Sequence, residues 1–239
     1  MRHGHRPPTL RQNVARPTMS QGDIPMHLYS YYRSSATFRV RIALKLKGLD
    51  YDTIPIHLVR DGGEQFRADY RALNPQCLVP ALADEGGLMT QSLAICEYLD
   101  ERYPEPPLLP VDLHGRARVR SIALAIACEI HPLNNLRVLA YLTNELGRSE
   151  EEKQAWYTHW VRGGLEQLEA RLARDADTGS FCHGDTPSLA DCFVVPQLYN
   201  ARRFGVSTEG LTTLLRIDEA CKALPAFREA APENQPDAG

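Results

Sequence analysis

The chain has 239 residues, 43% hydrophobic and 24% charged, which excludes a wholly disordered chain and provides for one or two packed domains. The net charge is only −3, and no apolar run approaches the roughly 18 residues of a membrane-spanning helix. The charge is unevenly placed: residues 1–25 hold Arg2, Arg6, Arg11 and Arg16 against Asp23, a balance of +3, so the remainder carries −6.

Residues 1–25 also contain Pro7, Pro8, Pro17 and Pro25 without apolar periodicity, so they read as a disordered basic leader. They lack the apolar region of a secretory signal, and the prolines spoil the amphipathic helix of a transit peptide. Met19 and Met26 are both possible starts, and deleting residues 1–25 is expected to leave turnover unchanged. Four arginines without interleaved aromatic residues do not make a nucleic-acid site. The cysteines, Cys77, Cys96, Cys128, Cys182, Cys192 and Cys221, show neither a C-x-x-C pair nor a Cys/His ligand spacing. They read as reduced, mostly core thiols of a cytoplasmic protein with no metal site.

From Met26 the pattern alternates. Residues 27–32 are short and aromatic-rich, as a strand requires. Phe38, Ile42 and Leu46 share one face of a helix over 37–47, stopped by Gly48. Ile54, Ile56 and Leu58 share one face of a second strand over 51–58, and 64–73 is expected to be helical. Strands at 79–84 and 88–90 flank Glu85-Gly86-Gly87, a hairpin signal. A helix over 92–103 follows, with Ser92 placed to cap it. The four prolines of residues 104–110 read as an extended interdomain linker.

Beyond the linker, strand signals vanish. Val119, Ile122, Ala123, Ile126, Ala127 and Ile130 form one apolar helix stripe, and further helices are expected over 154–172 and 188–198. Ser188 and Asp191 have capping-box spacing. The apolar run after them buries the acid, so Asp191 reads as a folding residue and not a catalytic one. Trp156 and Trp160, one turn apart, read as core packing. The expected organisation is a leader over 1–25, an α/β domain over 26–107, an all-α domain over 108–230 and a tail over 231–239.

A β-α-β-α-β-β-α unit followed by helices resembles the cytosolic glutathione transferases, which join a thioredoxin-like domain to an all-α domain. The stretch Tyr31-Tyr32-Arg33-Ser34-Ser35-Ala36-Thr37-Phe38-Arg39-Val40-Arg41 resembles the zeta-class signature. That class includes maleylacetoacetate isomerase and the similar maleylpyruvate isomerases. Asn74-Pro75-Gln76, Val79-Pro80, Gln91-Ser92-Leu93-Ala94-Ile95, His131-Pro132-Leu133-Asn134-Asn135-Leu136-Arg137, Gly184-Asp185-Thr186-Pro187-Ser188 and Ala201-Arg202-Arg203-Phe204 follow in register.

The resemblance implies glutathione as cofactor and a small dicarboxylate as substrate. Its thiol sits in a strand-to-helix turn whose amides and helix dipole make an anion site. One of Ser34 and Ser35 can cap the helix while the other meets the sulfur, and the resemblance favours Ser34 as activator. Ala36 stands where the family often has Cys or Thr, which shifts weight onto Ser34, Ser35 and the backbone. Val79 before a cis Pro80 would pair with the glutathione peptide, with Gln76 nearby, and Gln91 and Ser92 would hold its γ-glutamyl end. His131, Asn135 and Arg137 would complete the pocket from the second domain. Arg33 and Arg203 would bind the substrate's carboxylates, as guanidinium does bidentately.

The implied reaction is glutathione-dependent cis–trans isomerisation of maleylacetoacetate, with maleylpyruvate as the alternative substrate. A generic glutathione transferase or peroxidase would use the same thiolate without needing both arginines. A non-enzymatic binding module would show a damaged glutathione site. The resemblance further implies a homodimer, with no nucleic-acid or membrane partner.

Overall fold

The computed structural model describes residues 26–238; the expectations for residues 1–25 lie outside them. The first elements are β1 (His27–Ser30), α1 (Ser35–Leu46), β2 (Asp52–Pro55), α2 (Ala68–Leu73), β3 (Ala81–Asp84), β4 (Gly87–Thr90) and α3 (Ser92–Arg102). The four strands form one sheet in the order β2-β1-β3-β4. β1 and β2 are parallel, joined by the crossover helix α1, and the other two pairings are antiparallel. Leu28 and Leu82 pair across the centre of the sheet and are wholly buried. The hairpin falls where the glycines require it, with Gly87 at φ 114° and Asp84 Oδ1 accepting from the Gly86 amide at 2.8 Å.

The region expected to be one helix over 64–73 is split into a 3-10 turn (Glu64–Phe66) and the short α2. The second strand is half the expected length. β3 starts only after Pro80, since a proline cannot donate to the ladder.

Helix α1 is the centre of the molecule. Every residue from Thr37 to Leu44 is buried, because the helix packs on α3 on one side and on two helices of the second unit on the other. Phe38, Val40, Ile42 and Leu44 fill half of that run, yet it also carries Arg39 and Arg41, 1% and 0% exposed.

The helical part comprises α4 (Leu113–Leu124), a π-helical turn (Ala125–Ile130), α5 (Leu136–Asn144), α6 (Glu150–Arg174), α7 (Leu189–Arg203), α8 (Thr212–Lys222) and α9 (Pro225–Ala230). The apolar stripe from Val119 to Ile130 is buried as expected, apart from a half-buried Ala127. Its last turn widens to π geometry and delivers the chain to His131. Asp191 is wholly buried, accepting from Cys182 N, Ser188 N and Ser188 Oγ at 2.7–2.8 Å. It serves folding, as its position implied.

The proline-rich connection is fastened to the first unit: the buried Lys47 ammonium binds Asp100 Oδ1 and the carbonyls of Tyr103 and Pro106 at 2.7–2.9 Å. Leu108 and Leu109 are buried, so the connection is packed in place. Trp160 is not core: it is 37% exposed, while Trp156 donates Nε1–H to the Leu133 carbonyl at 2.8 Å and meets the Trp160 ring at 5.7 Å. Among the described residues no helix is long and apolar enough to cross a membrane.

Candidate active site

The turn between β1 and α1 is built by Ser34, whose amide donates to the Tyr31 carbonyl at 2.8 Å. Ser34 is the N-cap of α1: its backbone is extended and its Oγ accepts from the Thr37 amide at 3.2 Å. A hydroxyl that accepts one bond keeps its own proton to donate. The amides of Ser35 and Ala36, the first two of the helix, have no acceptor among the described residues. These donors and the helix dipole favour an anion at this point. Ser34 therefore caps and can still donate outward, while Ser35 is buried. Ala36 adds no polar group.

The loop before β3 is held from beneath. Tyr70 Oη and Asn74 Nδ2 both donate to the Leu78 carbonyl, at 2.6 and 2.9 Å. The Val79–Pro80 peptide is cis, as the motif implied. Val79 is buried, and its amide and carbonyl have no backbone partner among the described residues. Asn74 Oδ1 also accepts from the Gln76 amide at 3.1 Å, and Gln76 Oε1 accepts from Gln91 Nε2 at 3.2 Å. Gln76 and Gln91 are thus brought together.

Ser92 does not cap α3. The helix begins at Ser92, and Gln91 occupies the cap position at φ 70°, ψ 114° without a capping bond. A non-glycine residue in that region stores about 1–3 kcal/mol and is typical of ligand-holding turns. The Ser92 hydroxyl turns inward instead, accepting from Arg39 Nη1 at 3.1 Å. That bond reaches back from α3 to the central helix and leaves the serine proton as a donor.

On the helical side, Asn135 caps α5, its Oδ1 accepting from the Arg137 amide at 3.1 Å. Burial, with the charges of Arg39 and Arg137 nearby, lowers the His131 imidazole to a pKa of about 3. The ring is neutral at any working pH. Arg39 thus binds Ser92 below the Gln91 turn, and its charge, with that of Arg137, acts on His131.

Of the two arginines ending α7, Arg202 is spent on Asp218 at 2.7 Å. Arg203 makes no ion pair among the described residues and lies 4.9 Å from the centre of the Phe204 ring. Arg33, equally unpaired, lies 4.8 Å from the Tyr32 ring. Both cations act on the same two phenols. Burial, aided by Tyr32, raises the Tyr31 pKa, and Arg33 and Arg203 pull it down. Burial and Glu233 raise that of Tyr199, against the same two arginines. Arg33 and Arg203, from different halves of the molecule, thus both lie near enough to Tyr31 and Tyr199 for their charges to act on them. Tyr199 also lines a cavity of about 310 Å³ with Phe38, Val195, Phe227 and Ala231. Tyr31 stood in the signature stretch without a role of its own, and Tyr199 escaped the sequence reading because a lone tyrosine carries no motif.

The arrangement offers free amides and a hydroxyl for a thiolate, an unpaired backbone at Val79 for a peptide, and two guanidiniums without an ion-pair partner among the described residues. These features fit glutathione.

Residues 28–107 match the family model "Glutathione S-transferase, N-terminal domain", and 152–230 match "Glutathione S-transferase, C-terminal domain". The chain is 52% identical over 213 residues to a maleylacetoacetate isomerase of Pseudomonas aeruginosa, covering 89% of this chain and 98% of that one. Among solved structures, it is similar to a holo maleylpyruvate isomerase described as a bacterial zeta-class glutathione S-transferase. The TM-score is 0.85 and the identity 46%, over 89% of this chain and 100% of that one. A maleylacetoacetate isomerase from Methylobacterium extorquens with bound malonate and glutathione aligns with a TM-score of 0.86 and 42% identity, covering 89% and 99%.

Proposed function

Because the chain belongs to the zeta class of the glutathione S-transferase family, we propose that it isomerises maleylacetoacetate to fumarylacetoacetate with glutathione as cofactor. The observation that carries this reading is the pair of unpaired guanidiniums, Arg33 and Arg203, acting on Tyr31 and Tyr199 beside the amide-lined start of α1. A transferase for neutral electrophiles has no use for two cations there.

Bound glutathione supplies a thiolate that adds reversibly to the conjugated double bond, which can turn while it is single. The residues of this chain do the rest. Ser34 Oγ–H and the Ser35 and Ala36 amides stabilise the sulfur as an anion, since a free thiol is only a few per cent ionised at neutral pH. The Val79 backbone aligns the peptide, and Gln76, Gln91 and Ser92 hold the γ-glutamyl end, where a carboxylate meets the N-terminus of α3. His131, with Asn135 and Arg137, closes that pocket. Arg33 and Arg203 hold the substrate's carboxylates and stabilise charge developing on its oxygens, usually the largest catalytic contribution. No side chain has to remove a proton from carbon.

Maleylpyruvate carries the same maleyl end and differs only beyond the ketone, so it is the alternative substrate. The proposal includes a homodimer, as the resemblance implies, in the cytoplasm, which is consistent with six unpaired cysteines.

The test compares Arg33→Ala and Arg203→Ala in two reactions. Isomerisation should fall about 10- to 100-fold, the worth of a charged hydrogen-bonded contact. Conjugation of glutathione to a neutral aryl halide should change little. Equal losses in both reactions would replace the isomerase reading with a general transferase.

A further inference from the structure

The turn that carries Arg33 and Ser34 is held by the far end of the chain. The Tyr32 amide donates to Asp237 Oδ2 at 3.0 Å, across 205 residues of sequence. The Tyr32 carbonyl accepts from Arg41 Nη2 at 2.9 Å. Both backbone groups of the residue just before Arg33 are therefore gripped by charged side chains.

Arg41 binds more than the turn. Its Nε donates to the Ala230 carbonyl at the end of α9 at 2.9 Å, and its Nη1 to Ser30 Oγ at 3.4 Å. The last residues are fastened in turn: Gln235 Nε2 donates to the carbonyls of Glu229 and Ala231 at 2.9 Å, and Asn234 Nδ2 to Arg228 at 2.7 Å. Arg41 is wholly buried and has no salt bridge within 4 Å among the described residues. The groups facing it are Tyr51, Asp237, Tyr199 and Glu233, and two of these belong to the tail. A buried guanidinium needs such compensation. The tail supplies it in the same step that pins the turn.

We propose that the C-terminal segment is a positioning element of the active site, in which Asp237 and Arg41 fix the Tyr32 peptide and so set where Ser34 and Arg33 stand. Asp237 touches neither glutathione nor substrate; it acts through the turn. A small displacement of a reacting group is enough to cost catalysis severely. The turnover part of this inference rests on the isomerase reading, whereas the effect on the bound thiol does not.

The experiment uses the full chain and Asp237→Ala and Asp237→Asn, since asparagine can still accept from the Tyr32 amide. With glutathione bound, the thiol is titrated by the ultraviolet absorbance of its thiolate, and kcat and KM are then measured with maleylacetoacetate. In D237A the bound thiol should titrate at higher pH than in wild type. Its kcat should fall about tenfold, the loss of one hydrogen bond to a charged group, with the glutathione KM within about twofold. D237N should recover most of both. A chain ending at Pro236, which keeps α9 and Gln235, gives the same comparison if D237A folds poorly. Unchanged thiol titration and kcat in D237A, or equal losses in D237A and D237N, overturn the positioning role and leave the isomerase reading untouched. A thiol shift in D237A without any isomerisation by wild type leaves the positioning role and overturns the isomerase reading.

Discussion

Replacing Asp191 by Ala tests whether this buried acid holds the fold or takes part in chemistry. Its carboxylate accepts the amides of Cys182 and Ser188 and the Ser188 hydroxyl at 2.7–2.8 Å, with all three residues 5% exposed or less. Alanine strands two buried amides, each costing about 1–3 kcal/mol. Part of that loss is offset, because burial pushes the Asp191 carboxyl above its usual pKa and removing the charge relieves its desolvation. The net loss is about 3 kcal/mol, a large share of a typical stability of about 5–15 kcal/mol. At about 2–4 °C per kcal/mol for a chain of this size, Tm falls by roughly 6–12 °C. Urea unfolding and calorimetry read the loss, and Asp191→Asn, keeping one acceptor, should lose about half as much. The folded fraction of either variant should keep wild-type kcat. A loss below about 1 kcal/mol, or a collapse of kcat at full stability, would show that Asp191 does not serve the fold.

Ser34→Ala removes both the cap on Thr37 and the proposed donor to sulfur. It should cost about 1 kcal/mol of stability, raise the pKa of the bound thiol and lower kcat, whereas Ser35→Ala should stay near wild type; the reverse order would reassign the activator. For His131, folding holds the imidazole neutral, with its pKa lowered from 6.5 to about 3. The unfolded chain therefore binds more protons between those values, so stability present above pH 6.5 is lost as pH falls, by up to about 1.4 kcal/mol per unit. Urea unfolding at pH 7 and pH 5 should show this slope in wild type and a shallower one in His131→Gln.

Much of the fold was readable from short-range pattern. The β-α-β-α-β-β-α order, the glycine-bearing hairpin and the apolar stripe ending at Ile130 each follow from periodicity and turn chemistry. Helices α5, α8 and α9 escaped; α9, with six residues, is too short for a periodic signal. Ser92 was misread as a cap because capping propensity is local. A buried arginine 53 residues away claimed its hydroxyl. The site divides in the same way. Arg33, Ser34, Val79-Pro80 and Gln91 stand on contiguous motifs and carry their own signal. Tyr31, Tyr199 and Asp237 matter through long-range placement, and Arg39 and Arg41 look in sequence like surface charges on a helix that tertiary packing has buried.

The account stands or falls on the need for a thiolate that is used and returned. A stopped-flow absorbance assay with maleylacetoacetate, on enzyme freed of glutathione and then resupplied, measures this directly. No isomerisation is expected without glutathione, full turnover when it is restored, and no net consumption of the thiol. Isomerisation that continues undiminished without glutathione would contradict it.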